Sequence, residues 1–252
     1  MDFPATIAAK KARLDALRPL APDSLAVLDR WFDVELTYTS NAIEGSTLTR
    51  TETAIVVDKG VTIGGKPLKH HLEALDHMDA LGFVRALARG HDPLREGDIR
   101  EIHRLVMARS APLEAGQYSR HQRAVLGSAV RFPSPAATPA LMADLARDLR
   151  DQPPGASMAF EAHYRLVTIH PFSDGNGRSA RLLMNLLLLR AGYPPVSIGP
   201  NERAEYLDAL QERQLGGPAS AWQNLMVRRL DASLTEYLAH LERGLSGKVA
   251  AS

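Results

Sequence analysis

Apolar residues recur at helical spacing along most of the chain, as in Leu72, Leu75, Met78 and Leu81, whereas alternating, strand-like stretches are few and short. Such patterning folds as a mainly α protein. Punctuation separates the helices: Pro19 and Pro22, Gly60 with Gly64 and Gly65, Pro93, Pro133 and Pro135, Pro153 and Pro154, Pro194 and Pro195, then Gly216 and Gly217. Thr49 with Glu52 three residues later is a capping-box pattern that starts a helix. "ATPALMADLARDL" places Thr138 as a cap with Pro139 at the first helical position. One segment departs from the helical pattern. In "QYSRHQRAVLGSAVRFPSP", residues 117–135, a short apolar run is broken by Gly127 and Ser128, which predicts a small β-hairpin.

Composition then narrows the partners. With 252 residues and 45% hydrophobic content the chain can bury a sizeable core. Thirty basic residues against twenty-nine acidic ones leave a charge of +1, without the excess that neutralising many phosphates requires, so no nucleic-acid partner is expected. The absence of cysteine removes disulfides, thiol catalysis and thiolate zinc sites. The first residues, "MDFPATIAAKKARLDAL", are amphipathic rather than leader-like, and the longest apolar run, "LLMNLLLL" at 182–189, falls short of the ~20 residues that span a bilayer. The expectation is a cytoplasmic protein with no membrane partner.

Chemistry concentrates in "TIHPFSDGNGRSARLLMNLLLLRAGYPP", residues 168–195, which reads as a helix end, a tight loop and an apolar helix closed by Gly192. Pro171 biases His170 away from helical backbone angles, so the preceding helix stops there and presents His170 at its lip. Phe172 anchors the loop in the core. Gly175, Asn176 and Gly177 accept left-handed angles and let amides converge at the start of the next helix, a place that favours anions. Arg178 and Arg181 sit in that first turn, where cations oppose the helix dipole by ~0.3–1 kcal/mol each unless an anion such as a polyphosphate joins them. Asp174 then suits Mg2+, which takes one or two carboxylates plus phosphate oxygens. His170 suits a general base facing the phosphorus.

The string from His170 to Arg181, "HPFSDGNGRSAR", resembles the signature of the Fic family, His-Pro-Phe-x-Asp/Glu-Gly-Asn-Gly-Arg-x-x-Arg, at every defined position. The similarity extends to "TIGGKPLKHHLEAL" upstream and "LLMNLLLLRAGYPP" downstream. The resemblance implies a Fic-like helical bundle with one small β-hairpin flap: an N-terminal helical region over 1–90, a catalytic core over 91–200, and C-terminal helices over 201–252 that complete a nucleotide site. It implies transfer of AMP from ATP to a Ser, Thr or Tyr hydroxyl on a target protein, with self-modification a further outcome. By the same resemblance His170 deprotonates the hydroxyl, and Asp174 holds Mg2+. Gly175, Asn176 and Gly177 cradle the phosphates, Arg178 holds phosphates and loop, and Arg181 takes the γ-phosphate. Relatives that act as kinases carry Lys where this chain has Gly177, which favours nucleotidyl transfer here. "AVLGSAVRF", with Val125, Leu126 and Gly127, is similar to the flap that pairs with a target backbone by strand addition. The lead-in, Gly116-Gln117-Tyr118-Ser119-Arg120, has one residue more between Tyr and Arg than the family's. Where close relatives line the adenine pocket with an aromatic pair and an Asn, this chain offers Tyr206, Leu207 and Gln214, which leaves UTP or CTP open beside ATP.

Upstream, Leu25, Leu28, Trp31, Phe32 and Leu36 mark one face of a helix that continues to Ser40 and Glu44, with Gly45 as its C-terminal cap. A carboxylate at the negative end of a helix costs ~0.3–1 kcal/mol unless solvent or a cation compensates. Ser40-x-x-x-Glu44-Gly45 resembles the family's inhibitory motif, Ser/Thr-x-x-x-Glu-Gly/Asn, which implies that Glu44 pairs with Arg181 and keeps ATP from its productive pose. Two other readings keep the same residues: a hydrolase that removes AMP from a modified target, and a non-catalytic nucleotide-binding regulator. His70, His71 and His77 share a helical stretch but lack the spacing of a metal site. The charges of the C-terminal "MVRRLDASLTEYLAHLERG" fit a solvated face or packing against a second copy of the chain as a homodimer.

Overall fold

A computed structural model describes residues 3–124 and 127–249, except for the side chains of residues 24 and 244–249. Its α-helices are α1 (Ala5–Ala16), α2 (Pro22–Ile43), α3 (Arg50–Lys59), α4 (Leu68–Arg89), α5 (Glu96–Val106), α6 (Thr138–Asp151), α7 (Ala156–Ile169), α8 (Asn176–Arg190), α9 (Arg203–Gln214) and α10 (Ser220–Val249), with a 3-10 turn at Pro200–Glu202 before α9. The architecture is the mainly α one that the periodicity predicts.

The run "LLMNLLLL" is apolar on every side, so a helix carrying it must lie where all its faces can be covered. It does: every residue of α8 from Arg178 to Leu188 is buried, with α7, α4, α5 and α2 packed around it. Asn185 is the one polar group within that run. Its amide donates to Val196 O (3.0 Å) and its oxygen accepts from Val196 N–H (2.7 Å), which fixes the chain beyond Pro194 and Pro195 and leaves no polar atom unpaired. α10 lays Trp222, Leu225, Met226, Leu230 and Leu234 into the same core, packing on α9, α2 and α1, where Lys10 reaches Asp231 at 2.7 Å.

Local signals mostly fall where the sequence puts them. Thr49 Oγ1 accepts from Glu52 N–H (3.2 Å) while Glu52 Oε2 accepts from Thr49 N–H (2.8 Å), so the capping box starts α3. α2 ends at Ile43 with Glu44 as its C-cap and Gly45 just beyond at φ +97°, an angle that suits glycine. Two expectations need correction. Thr138 is the first helical residue rather than the cap: Ala137 holds that place, and the Thr138 hydroxyl donates back to Ser134 O (3.2 Å). The hairpin expected within 117–135 is not formed among the described residues. Tyr118 makes a single antiparallel bridge with Phe172, and Ser119 N–H donates to Pro171 O (2.9 Å). Beyond that, side chains satisfy the segment: Gln122 Nε2 donates to Phe132 O (2.9 Å) and Ser128 Oγ to Gln211 Oε1 (2.8 Å). A lone two-stranded ribbon is marginal in water, and among the described residues no further strand lies beside this segment to stabilise one. Val125 and Leu126 lie outside the described residues.

Candidate active site

The loop between α7 and α8 is held in shape by buried side chains. α7 stops at Ile169, and His170 takes the left-handed conformation (φ 51°, ψ 53°), the one non-glycine residue with positive φ among those described. That conformation costs an L-residue roughly 1–2 kcal/mol, and neighbours impose it. His170 Nδ1 lies 3.2 Å from Val167 O, the His170 ring packs on Phe132 at 4.1 Å, and Pro171 follows. Phe172 is fully buried and stacks on His103 at 3.6 Å. The Asn176 side chain clamps Phe172 from both sides, accepting from its N–H (3.0 Å) and donating to its carbonyl (2.9 Å).

His103 is the hook beneath the loop. Its Nδ1 accepts from Gly116 N–H (3.0 Å), so Nε2 carries the proton and donates to Asp174 O (3.0 Å). Burial lowers its pKa to about 4, which keeps the ring neutral and that tautomer in place. Gly175 passes directly over the hook at φ +73°, where a Cβ would meet Met107 Sδ at 2.9 Å and the His103 ring at 3.2 Å. The first helical bond of α8 is Ser179 N–H to Gly175 O (2.9 Å), so the amides of Asn176, Gly177 and Arg178 form an unpaired first turn.

The charged groups divide into two sets. Arg178 is 1% exposed and bonds Glu73 of α4 at 3.0 Å, with Asp174 at 3.4 Å on its other edge. It ties loop to helix and does not line the cavity. Asp174 is half-exposed and also sees Lys69 at 3.9 Å. Burial raises its pKa, but Arg178, the Gly175 amide and Lys69 together outweigh that and hold the carboxyl below its ordinary value.

Arg181, also buried, reaches α2 instead: Nε donates to Ser40 Oγ (2.9 Å), and Nη2 to Ser40 O (3.0 Å) and Glu44 Oε1 (2.7 Å). Nη1 donates to the Tyr206 hydroxyl (3.3 Å). The Glu44 carboxylate lies over Gly177, where any Cβ would collide with it and would stand 3.0 Å from Arg181 Nη1. One cavity of about 370 Å3 collects Glu44, Gly127, His170, Gly177, Arg181 and Tyr206 on its wall. Asp174, Gly175, Asn176 and Arg178 shape the loop behind it, Ser40 backs Arg181, and Gly45 turns the chain away from α2. Burial lowers the His170 pKa, so the ring is neutral near pH 7. With Nδ1–H directed at Val167 O, the Nε2 lone pair is free for a proton.

Glu73, His103 and His163, whose Nε2 lies 3.0 Å from the Tyr206 hydroxyl, contribute to this arrangement although their side chains were not singled out from the sequence; Glu73 and Arg178 are 105 positions apart. The three histidines of the α4 region serve separate partners. His70 Nδ1 accepts from Thr47 N–H (3.2 Å), His71 Nε2 from Ile63 N–H (2.8 Å), and His77 Nδ1 meets Thr37 Oγ1 (3.1 Å).

Residues 93–188 match the profile of the Fic/DOC family. Protein adenylyltransferase fic-1 of Caenorhabditis elegans is 35% identical over 213 residues, 81% of this chain and 41% of its own length. Protein adenylyltransferase Fic of Nematostella vectensis is 37% identical over 207 residues, 80% of this chain and 48% of its own. The chain therefore spans less than half the length of these curated relatives. Among solved structures, a Fic domain containing signaling protein from Bacteroides thetaiotaomicron matches with a TM-score of 0.85 at 30% identity, over 94% of this chain and 98% of that one. A segment of Fic-1 from C. elegans matches with a TM-score of 0.84 at 30% identity, over 95% and 72%.

Proposed function

Because this chain belongs to the Fic/DOC family, we propose that it is a protein adenylyltransferase, moving AMP from ATP to a side-chain hydroxyl of a target protein, and that Glu44 restrains it. The observation that carries this reading is Arg181: a buried guanidinium on the wall shared with His170, holding a carboxylate at 2.7 Å where a terminal phosphate would otherwise bind. In the reaction the target hydroxyl gives its proton to His170 Nε2 and its oxygen bonds to the α-phosphorus. The bond from that phosphorus to the bridging oxygen breaks, and pyrophosphate leaves. Arg181 and the first-turn amides of α8 hold the phosphates in line, and Gly177 leaves room for them.

Asp174 fits a magnesium ion arriving with the nucleotide: it is one half-exposed carboxylate kept ionised, so phosphate oxygens and water would complete the shell. Such an ion would offset phosphate charge. Among the described residues no cluster of three or more His, Cys, Asp or Glu could hold a metal by itself, which suits an ion shared with substrate. The target is a protein bearing Ser, Thr or Tyr, this chain's own surface included. A homodimer and a cytoplasmic setting belong to the same proposal, and no helix among the described residues is long and apolar enough to cross a membrane.

Glu44 lining the same cavity as His170 supports a second reading, in which it positions water to remove AMP from a modified target. The test follows the label. With Glu44→Gly, ATP carrying label on the α-phosphate should mark protein, and ATP labelled on the γ-phosphate should not. The reverse pattern would make the chain a kinase. Removal of AMP by wild type but not by Glu44→Gly would favour the second reading.

A further inference from the structure

On its Nη1 side Arg181 meets a second chain of buried polar groups. The Tyr206 hydroxyl, 3.3 Å from Nη1, lies 3.0 Å from His163 Nε2, and the His163 ring stacks on Trp222 at 4.9 Å. His163 and Trp222 are 0% exposed and Tyr206 2%. Donor and acceptor roles follow by elimination. A guanidinium only donates, so the phenol oxygen accepts from Arg181 and its one proton must go to His163 Nε2. His163 then carries its own proton on Nδ1, a buried atom with no partner. The opposite tautomer would aim two donors at the phenol oxygen and leave the phenol proton without an acceptor. The chain thus tolerates one unpaired N–H, ordinarily worth ~1–3 kcal/mol, to keep an acceptor facing Tyr206.

We infer that His163 and Tyr206 are positioning residues for the γ-phosphate: His163 fixes the Tyr206 hydroxyl as an acceptor, and the hydroxyl holds the Arg181 guanidinium in its plane when Glu44 is gone. The inference rests on the reading of Arg181 given above. Of the groups bonded to Arg181, Ser40 and Tyr206 grip Nε, one side of Nη2, and Nη1, while Glu44 takes the remaining side of Nη2. Withdrawal of Glu44 therefore frees one N–H while the others stay fixed, and that N–H keeps pointing at the place the carboxylate left. An arginine already oriented loses little freedom when phosphate arrives. With Tyr206 unable to accept, the guanidinium is held from the α2 side alone.

Calorimetric affinities for ATP and ADP, measured in the Glu44→Gly protein with Tyr206→Phe, His163→Leu or His163→Gln added, test this. Glu44→Gly alone should prefer ATP. Tyr206→Phe and His163→Leu should lose roughly tenfold in ATP affinity, the equivalent of one charge-assisted hydrogen bond, with ADP affinity within about twofold. His163→Gln, whose amide oxygen can replace Nε2 as acceptor, should restore most of the loss. Equal weakening of both nucleotides, an undiminished ATP preference, or a Gln variant no better than Leu would overturn the relay. If Glu44→Gly shows no ATP preference, Arg181 does not read the γ-phosphate and the relay falls with it. If the preference is present and relay-dependent but no AMP is transferred, the relay stands and the transferase reading fails.

Discussion

Glu44→Gly removes the 2.7 Å bond from Arg181 and leaves a guanidinium that is 5% exposed without its counter-ion. Breaking a fully buried pair this way costs ~3–5 kcal/mol. Here the cost is smaller, because the Glu44 side chain is 36% exposed and Arg181 keeps Ser40 and Tyr206. About 2 kcal/mol is a fair magnitude for one hydrogen bond to a charged group. At ~2–4 °C per kcal/mol for a chain of this size, the apo variant should melt about 4–8 °C below wild type. ATP should reverse that. A ligand at a hundred times its Kd adds ~2.7 kcal/mol, enough to replace what the carboxylate supplied. Melting curves by scanning fluorimetry with and without Mg-ATP should therefore show a larger ATP-induced rise for Glu44→Gly than for wild type, whose own carboxylate competes. Glu44→Gln, which keeps an acceptor but no charge, should fall between them. An apo variant as stable as wild type, or equal ATP shifts in both, would mean that Glu44 does not compete with ATP for Arg181.

Gly177→Ala pushes a methyl group into the Glu44 carboxylate, so it should destabilise wild type by more than it destabilises Glu44→Gly. Urea unfolding of the four proteins should give a coupling of about 1 kcal/mol or more; additivity would mean that the carboxylate does not lie over Gly177. His170→Gly should be more stable than His170→Ala by about 1 kcal/mol, because the position is left-handed at φ 51°, while neither transfers AMP. His77 and His103 are lowered by burial from 6.5 to about 3 and about 4, so the unfolded chain binds more protons than the folded one between those values. Their contribution is complete above pH 6.5 and is lost as pH falls through about 4 for His103 and about 3 for His77, at up to ~1.4 kcal/mol per pH unit for each. Urea midpoints that do not fall between pH 7 and pH 5 would contradict those neutral histidines.

The parts of the molecule legible in the sequence are those set by neighbours along the chain. Helical period, the Thr49–Glu52 cap, the stop of α7 before Pro171 and the turn at Gly45 each depend on a few consecutive residues. The anion-favouring start of α8 was legible because Arg178 and Arg181 oppose its dipole; the structure then gives each a carboxylate partner, Glu73 for one and Glu44 for the other. Long-range pairings were less accessible. His103 beneath Gly175 and His163 behind Tyr206 sit in ordinary helical patterns, and only the packing of α5 and α7 on α8 turns them toward the loop and toward Arg181. Tyr206, expected against a base, spends its hydroxyl on Arg181. Among the described residues of 117–135 only the Tyr118–Phe172 bridge is strand-like, which has the same origin: alternation and a glycine suggest strands, but the described neighbours that would pair with them are helices.

One carboxylate at the end of α2 and one phosphate are expected to compete for Arg181. Incubating wild type, Glu44→Gly, and Glu44→Gly with His170→Ala with α-phosphate-labelled ATP and magnesium, then counting label on protein, measures that competition. Wild type should label weakly, Glu44→Gly strongly and the double variant not at all. Labelling by wild type as strong as by Glu44→Gly, or persisting without His170, would contradict it.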